Sequence, residues 1–114
     1  MPRDARGYLE DTVTACAHIE DLIQGRSLED YLANDTLRWA VERQLIVVGE
    51  ALYQLDRHFP ETARRIPELR RIVNFRHVLV HGYANVHDEV VWGILETKLH
   101  PLYGAARALI RELG

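Results

Sequence analysis

The residues whose types and spacing could do chemistry lie together between Arg70 and Tyr83. Projected as a helix at about 100° per residue, this stretch sets Leu69, Ile72, Val73, Phe75, Leu79 and Val80 on one apolar arc, with Arg76 in the middle of it. A guanidinium in that place must be paired, reach water along its own stem, or face a cleft, because an unpaired buried charge is costly. A structural ion pair, for instance with Glu50, would satisfy it. An anionic ligand would satisfy it too, since the planar guanidinium offers bidentate donors. Along the polar border of the same helix, Arg70, Asn74, His77 and His81 follow at spacings of four, three and four. His81 precedes Gly82, where the backbone can turn, and a long arginine side chain can reach across the five-residue gap. Arg76 and His81 could therefore hold one phosphate between them, the imidazole taking or giving a proton near its ordinary pKa of about 6.5.

Each of these residues also has a plainer reading. His81 could rest on the free carbonyls and dipole of a helix end. His77 could be a second proton carrier, a phosphate contact or a solvated position, and Arg70 and Asn74 could be phosphate or substrate contacts or surface. Tyr83 could stack on a base, close the edge of the core, or be a modification site. The pair His77 and His81 has the i, i+4 spacing of a helical metal site, with a third ligand to come from His87, Asp88 or His100. No HExxH glutamate accompanies the pair, and no metal or other cofactor is expected.

The elements that must position these groups read as helices throughout. No stretch alternates with period two, and four segments show spacings of three and four. The first runs from about Tyr8 to Gln24 with Leu9, Val13, Cys16, Ile19 and Ile23 inward, and Gly25 stops it. Ser27 to Leu32 forms a short capped turn, and Asp35 caps a second helix from Thr36 to about Arg57, which Pro60 prevents from continuing. That helix carries two stripes: Leu37, Val41, Leu45, Val48, Leu52 and Leu55 on one face, and Trp39, Ile46 and Tyr53 on another, which could meet a partner. Pro67 suits the first turn of a third helix reaching His81, and Ala84 to His87 is a loop. Asp88 caps a fourth helix from Glu89 to Leu113, kinked or broken at Pro101. The expectation is a single all-α domain over residues 1–114, an up-and-down four-helix bundle with short extra turns.

Composition narrows the function classes. Apolar residues make up 47% and charged residues 27%, the balance of a globular domain. The lone cysteine, Cys16, leaves no internal disulfide, and neither a basic-then-apolar leader nor a run of about 18 apolar residues occurs, so a cytoplasmic protein with no membrane partner is expected. The net charge of -3 argues against a nucleic-acid partner, but its distribution argues for one. Arg57 to His81 holds six arginines against two acids, a local +4 that leaves -7 elsewhere.

The run Arg76-His77-Val78-Leu79-Val80-His81-Gly82-Tyr83 resembles the R-x4-H-x-Y signature of the HepT-like group of HEPN domains. At this composition the three residues would fall so by chance about 0.03 times, which makes the full motif moderately specific. Val41 to Leu52, with its Gly49-Glu50-Ala51, is similar to the family's second helix. The resemblance implies a homodimeric, metal-independent endoribonuclease, the toxin of a toxin-antitoxin pair, with Arg76 on the phosphate and His81 as general acid or base. It further implies that a minimal nucleotidyltransferase antitoxin of the MntA-like kind adenylylates Tyr83. The other reading it leaves open is a non-catalytic HEPN helper that binds a nucleotidyltransferase or a nucleotide.

Overall fold

A computed structural model describes residues 3–82 and 86–114. Its helices are α1 (Ala5–Ile23), α2 (Leu28–Ala33), α3 (Asp35–His58), α4 (Pro60–Ala63), α5 (Leu69–His81), α6 (Asp88–Thr97) and α7 (Leu99–Leu113), and no strand occurs among the described residues. α1 packs on α3 and on α7, and α5 lies against α3. None of these helices is long and apolar enough to cross a membrane.

The apolar periodicity of α3 explains its central place. Every member of its main stripe, Leu37, Val41, Leu45, Val48, Leu52 and Leu55, is buried, in one core with Leu9, Cys16 and Ile19 of α1. The second stripe faces out only in part: Trp39 is 66% exposed and Tyr53 40%, while Ile46 is partly buried against the core. A short helix, α2, is opened by a capping box in which the Ser27 hydroxyl accepts from the Asp30 N–H and the Asp30 carboxylate accepts from the Ser27 N–H. Its Tyr31 is fully buried against Trp92 of α6.

Several helix ends differ from the expectation, each for a local reason. Asn34, not Asp35, caps α3, its side-chain oxygen accepting from the Leu37 N–H at 3.0 Å. Helix α1 begins at Ala5, three residues earlier than its apolar pattern indicates, because Asp4 caps it through the Gly7 N–H. Pro67 stays outside α5. Burying both Ile66 and Leu69 turns the chain sharply between them, and Glu68 takes the left-handed conformation at φ 56° before the helix starts. The break before α7 falls at Lys98, not Pro101. Proline cannot donate to the carbonyl four residues back and its ring collides with it, so interrupting the helix three residues earlier moves Pro101 into a first turn, where neither matters. Asp88 does not cap α6; His87 holds the cap position, without a side-chain bond. Of the expected loop from Ala84 to His87, residues 84 and 85 lie outside the described set, while Val86 and His87 precede α6.

Candidate active site

Arg76 owes its position to Gly49. A Cβ at residue 49 would stand 2.2 Å from the Arg76 Cβ and 2.8 Å from its Cγ, distances no real atoms share, so α5 comes this close to α3 only where α3 has no side chain. The arginine stem lies across that gap and delivers its guanidinium to the next residue of α3. Arg76 Nη2 meets Glu50 Oε2 at 3.0 Å, and Gln54 Nε2 donates to the other carboxylate oxygen, Oε1, at 3.1 Å. The structural ion pair foreseen for this arginine is thus present. It is not sealed: the side chains are 28% and 46% exposed. Arg76 Nε is buried and has no hydrogen-bond partner among the described residues.

The guanidinium borders a cleft of about 410 Å³ between α1 and α3. Its walls come from Arg3, Tyr8 and Asp11 on one side and from Arg43, Ile46, Val47, Glu50, Ala51 and Gln54 of α3 on the other. Apolar walls with a few convergent charged groups are the make-up of a ligand site, and the volume lies within the range of small-molecule pockets. The cleft was not foreseen from the sequence. Its walls belong to helices brought together only by folding, and nothing near Tyr8 or Arg43 in the chain marks them as neighbours of Arg76.

His81 is elsewhere. Five residues on a helix turn the direction by about 140°, and neither His77 nor His81 lines the cleft. Both imidazoles are exposed and face each other, their ring centroids 4.7 Å apart. Arg70 and Asn74 are exposed on the same helix, as the strip along it predicts. Within one chain, then, Arg76 joins Glu50 and Gln54, and His77 joins His81, as two separate groupings. Tyr83 lies outside the described residues.

The basic segment is less basic in space than along the chain. Arg64 pairs with Glu61, Arg65 with Glu112, Arg71 with Glu68 and Arg76 with Glu50. Two of those four carboxylates, Glu50 and Glu112, lie outside the segment, so the local count of +4 overstates the field an RNA would meet. Arg70 makes no ion pair among the described residues. Of the conceivable third metal ligands, His100 faces Glu20 at 3.6 Å and Asp88 faces Arg38 at 3.5 Å.

Residues 13–109 match the Ribonuclease HepT-like family. The chain belongs to that family. The match runs from within α1 to within α7 and so contains Gly49, Glu50, Arg76, His81 and Tyr83. A "Probable ribonuclease HepT" from Thermococcus cleftensis is 31% identical over 91% of this chain and 94% of its own length. A protein named as a candidate RNase from Caldanaerobacter subterraneus subsp. tengcongensis is 26% identical over 94% of this chain and 95% of its own. Another so named, from Methanocaldococcus jannaschii, is 25% identical over 99% and 97%. No solved structure matches the chain. Within the matched stretch Gly49 admits the arginine, and the neighbouring carboxylate holds it at the cleft.

Proposed function

We propose that this chain is a metal-independent endoribonuclease, the toxin of a toxin-antitoxin pair, with Arg76 and His81 as its catalytic residues. The observation that carries the reading is an arginine laid over Gly49 with its charged end at an open cleft, in a chain of the HepT-like ribonuclease family. Each chain folds as one up-and-down helical bundle, works in the cytoplasm, and has RNA as substrate. Its 2'-hydroxyl attacks the neighbouring phosphorus, the bond to the 5'-oxygen breaks, and a 2',3'-cyclic phosphate and a 5'-hydroxyl remain. The reaction consumes no water and needs no metal; it needs a proton taken from the 2'-oxygen and one given to the 5'-oxygen. His81 moves one of these protons, and Arg76 offsets the charge growing on the phosphate oxygens. His77, a ring away from His81, is a second proton carrier or phosphate contact, and Arg70 and Asn74 flank the strand.

The separation of the two groupings supports a homodimer. Since one chain turns Arg76 and His81 in different directions, two motifs meeting near a two-fold axis bring imidazole and guanidinium to one phosphodiester. The exposed Trp39 and Tyr53 on α3 are the apolar surface such a dimer would cover. Tyr83, two residues past His81, is the site at which a minimal nucleotidyltransferase antitoxin adds AMP, and the added anion beside the motif keeps RNA phosphate out.

Chelator-treated protein incubated with total RNA tests the reading. Fragments ending in cyclic phosphate and 5'-hydroxyl are expected, with Arg76→Ala and His81→Ala each lowering the rate by about 10²- to 10⁴-fold. Fragmentation that persists unchanged in both variants would sink it. A second reading is favoured by the Arg76–Glu50 pair itself, which can be purely structural: a non-catalytic helper that binds a nucleotidyltransferase. It predicts no RNA cleavage at any protein concentration, and a loss of stability in Arg76→Ala with binding of the nucleotidyltransferase intact.

A further inference from the structure

The cleft beside Arg76 holds three arginines and two carboxylates, and their pairing is uneven. Arg3 is taken up by Asp11 and also lies over the Tyr8 ring, 5.3 Å from its centroid. Arg76 is taken up by Glu50. Arg43 is exposed and makes neither an ion pair nor a side-chain hydrogen bond among the described residues. The cleft therefore has one uncompensated positive charge, and its place is known: Arg43 stands two turns before Glu50 on α3, about 10 Å along the axis at 1.5 Å per residue. Between them Ile46 and Val47, with Ala51 beyond, give an apolar floor. A single positive charge at one end, a guanidinium at the other and an apolar stretch between them fit one nucleotide unit, whose phosphodiester carries a single negative charge and whose sugar and base are otherwise uncharged.

We infer that this cleft holds the nucleotide next to the cleaved bond of an RNA strand, with Arg43 contacting that neighbouring phosphate. The inference rests on the nuclease reading, and it adds a binding residue outside the Arg76 to His81 segment. Arg43 takes no part in bond making. It fixes which phosphate of the strand reaches Arg76, so its loss acts on KM and on the salt dependence of binding, and leaves kcat in place. A free mononucleotide presents the same phosphate chemistry, with more charge and no continuing strand.

A labelled single-stranded oligoribonucleotide, titrated at several salt concentrations into the full chain carrying His81→Ala so that it survives, tests the site. Arg43→Gln added to that background is expected to weaken binding about tenfold and to lower the slope of log affinity against log salt by about 0.7, the share of one phosphate contact on a single strand. Arg107→Gln, an exposed arginine on α7 lying over Tyr103, is expected to change neither. Equal slopes for the parent, Arg43→Gln and Arg107→Gln would overturn the assignment. So would AMP binding that depends on Arg43 in a protein that does not hold the oligonucleotide. Turnover separates this inference from the nuclease reading: a wild-type chain that cuts RNA with the same KM after Arg43→Gln overturns the site alone. An Arg43-dependent salt slope in a wild-type chain that cuts nothing overturns the nuclease reading and leaves the site standing.

Discussion

Helix α3 has two working faces, and they are built on opposite rules. On its main stripe Val41, Val48, Leu52 and Leu55, all with no exposed surface, share one core with Leu9, Cys16 and Ile19 of α1, equally closed. Toward α5 it presents Gly49 and Glu50, an absent side chain and a charged one. The first face gains stability from apolar area removed from water. The second packs more loosely: α5 fully buries only Leu69 and Leu79, sets Ile72, Val73 and Phe75 partly buried against the core, and adds a half-open ion pair with Glu50. With Arg76 in the catalytic role proposed above, substitutions on the two faces should fail differently, in folding on one and in turnover on the other.

The largest effect belongs to the closed face. Leu52→Ala removes a side chain with no exposed surface and should cost about 2 to 5 kcal/mol in chemical denaturation. The folded fraction should keep its rate per molecule. Cys16 reports on the same interior: burial, with a smaller push from Glu20, raises its thiol to about 12, so the native chain should resist a thiol reagent at pH 8. In Leu52→Ala the reaction should quicken in step with the unfolded fraction. Fast labelling of the wild type would show that this face is not closed at all.

Gly49→Ala comes next and breaks the contrast from the other side. The new Cβ collides with the Arg76 stem, and separating the helices to relieve it should cost about 1 to 3 kcal/mol. It also carries the guanidinium away from the cleft, so RNA cleavage should fall by about 10²-fold or more, in excess of any loss of folded protein. Circular dichroism and cleavage rates measured on the same sample separate the two. A stable, fully active Gly49→Ala would mean that the close approach of α5 matters to neither.

Glu50→Gln sharpens the comparison. The variant keeps an oxygen for Arg76 and loses the charge, in a pair exposed enough that stability should change by less than about 1 kcal/mol. Turnover should drop about tenfold through kcat, because the guanidinium is no longer held in one orientation. A loss of stability well above that figure with kcat intact would make the pair structural and favour the non-catalytic reading.

The closed face was legible in the sequence because apolar spacing reports burial directly: the six residues of the main stripe of α3 are all inside. Arg76 was legible as an exception to the same rule, and Glu50 as its partner, since a charge inside an apolar arc demands one. What sequence order hides is contact between distant segments. Glu112 neutralises Arg65 from 47 residues away, so counting charges along the chain misjudged the basic segment. The cleft shares this origin, for Tyr8 and Arg43 become neighbours only when α1 lies on α3. Prolines placed helix ends to within a few residues, because each forbids a hydrogen bond without specifying which nearby residue ends the helix, as Lys98 and Pro101 show.

The smallest effect sits where α5 begins, and it should appear only as the pH falls. Glu68 is held in the left-handed region at φ 56°, which glycine occupies without penalty. Its carboxylate offsets that strain by meeting Lys98 at 2.8 Å and Arg71 at 3.1 Å, and the Lys98 hydrogen bond, followed by the charges of Lys98 and Arg71, lowers its pKa below the ordinary 4.5. A carboxylate with a lowered folded pKa adds stability above its unfolded value and loses it as pH falls through the folded one. At neutral pH, Glu68→Gly therefore trades strain for two exposed ion pairs, and its melting temperature should lie close to that of the wild type. Below the lowered pKa the wild type keeps the strain and has lost the pairs, so the glycine variant should become the more stable of the two. A difference in melting temperature that does not move between pH 7 and pH 3 would mean that the ion pairs contribute nothing. The orientation of α5, and with it the placement of Arg76, would then depend on Gly49 and on the apolar packing of Leu69, Ile72, Val73, Phe75 and Leu79.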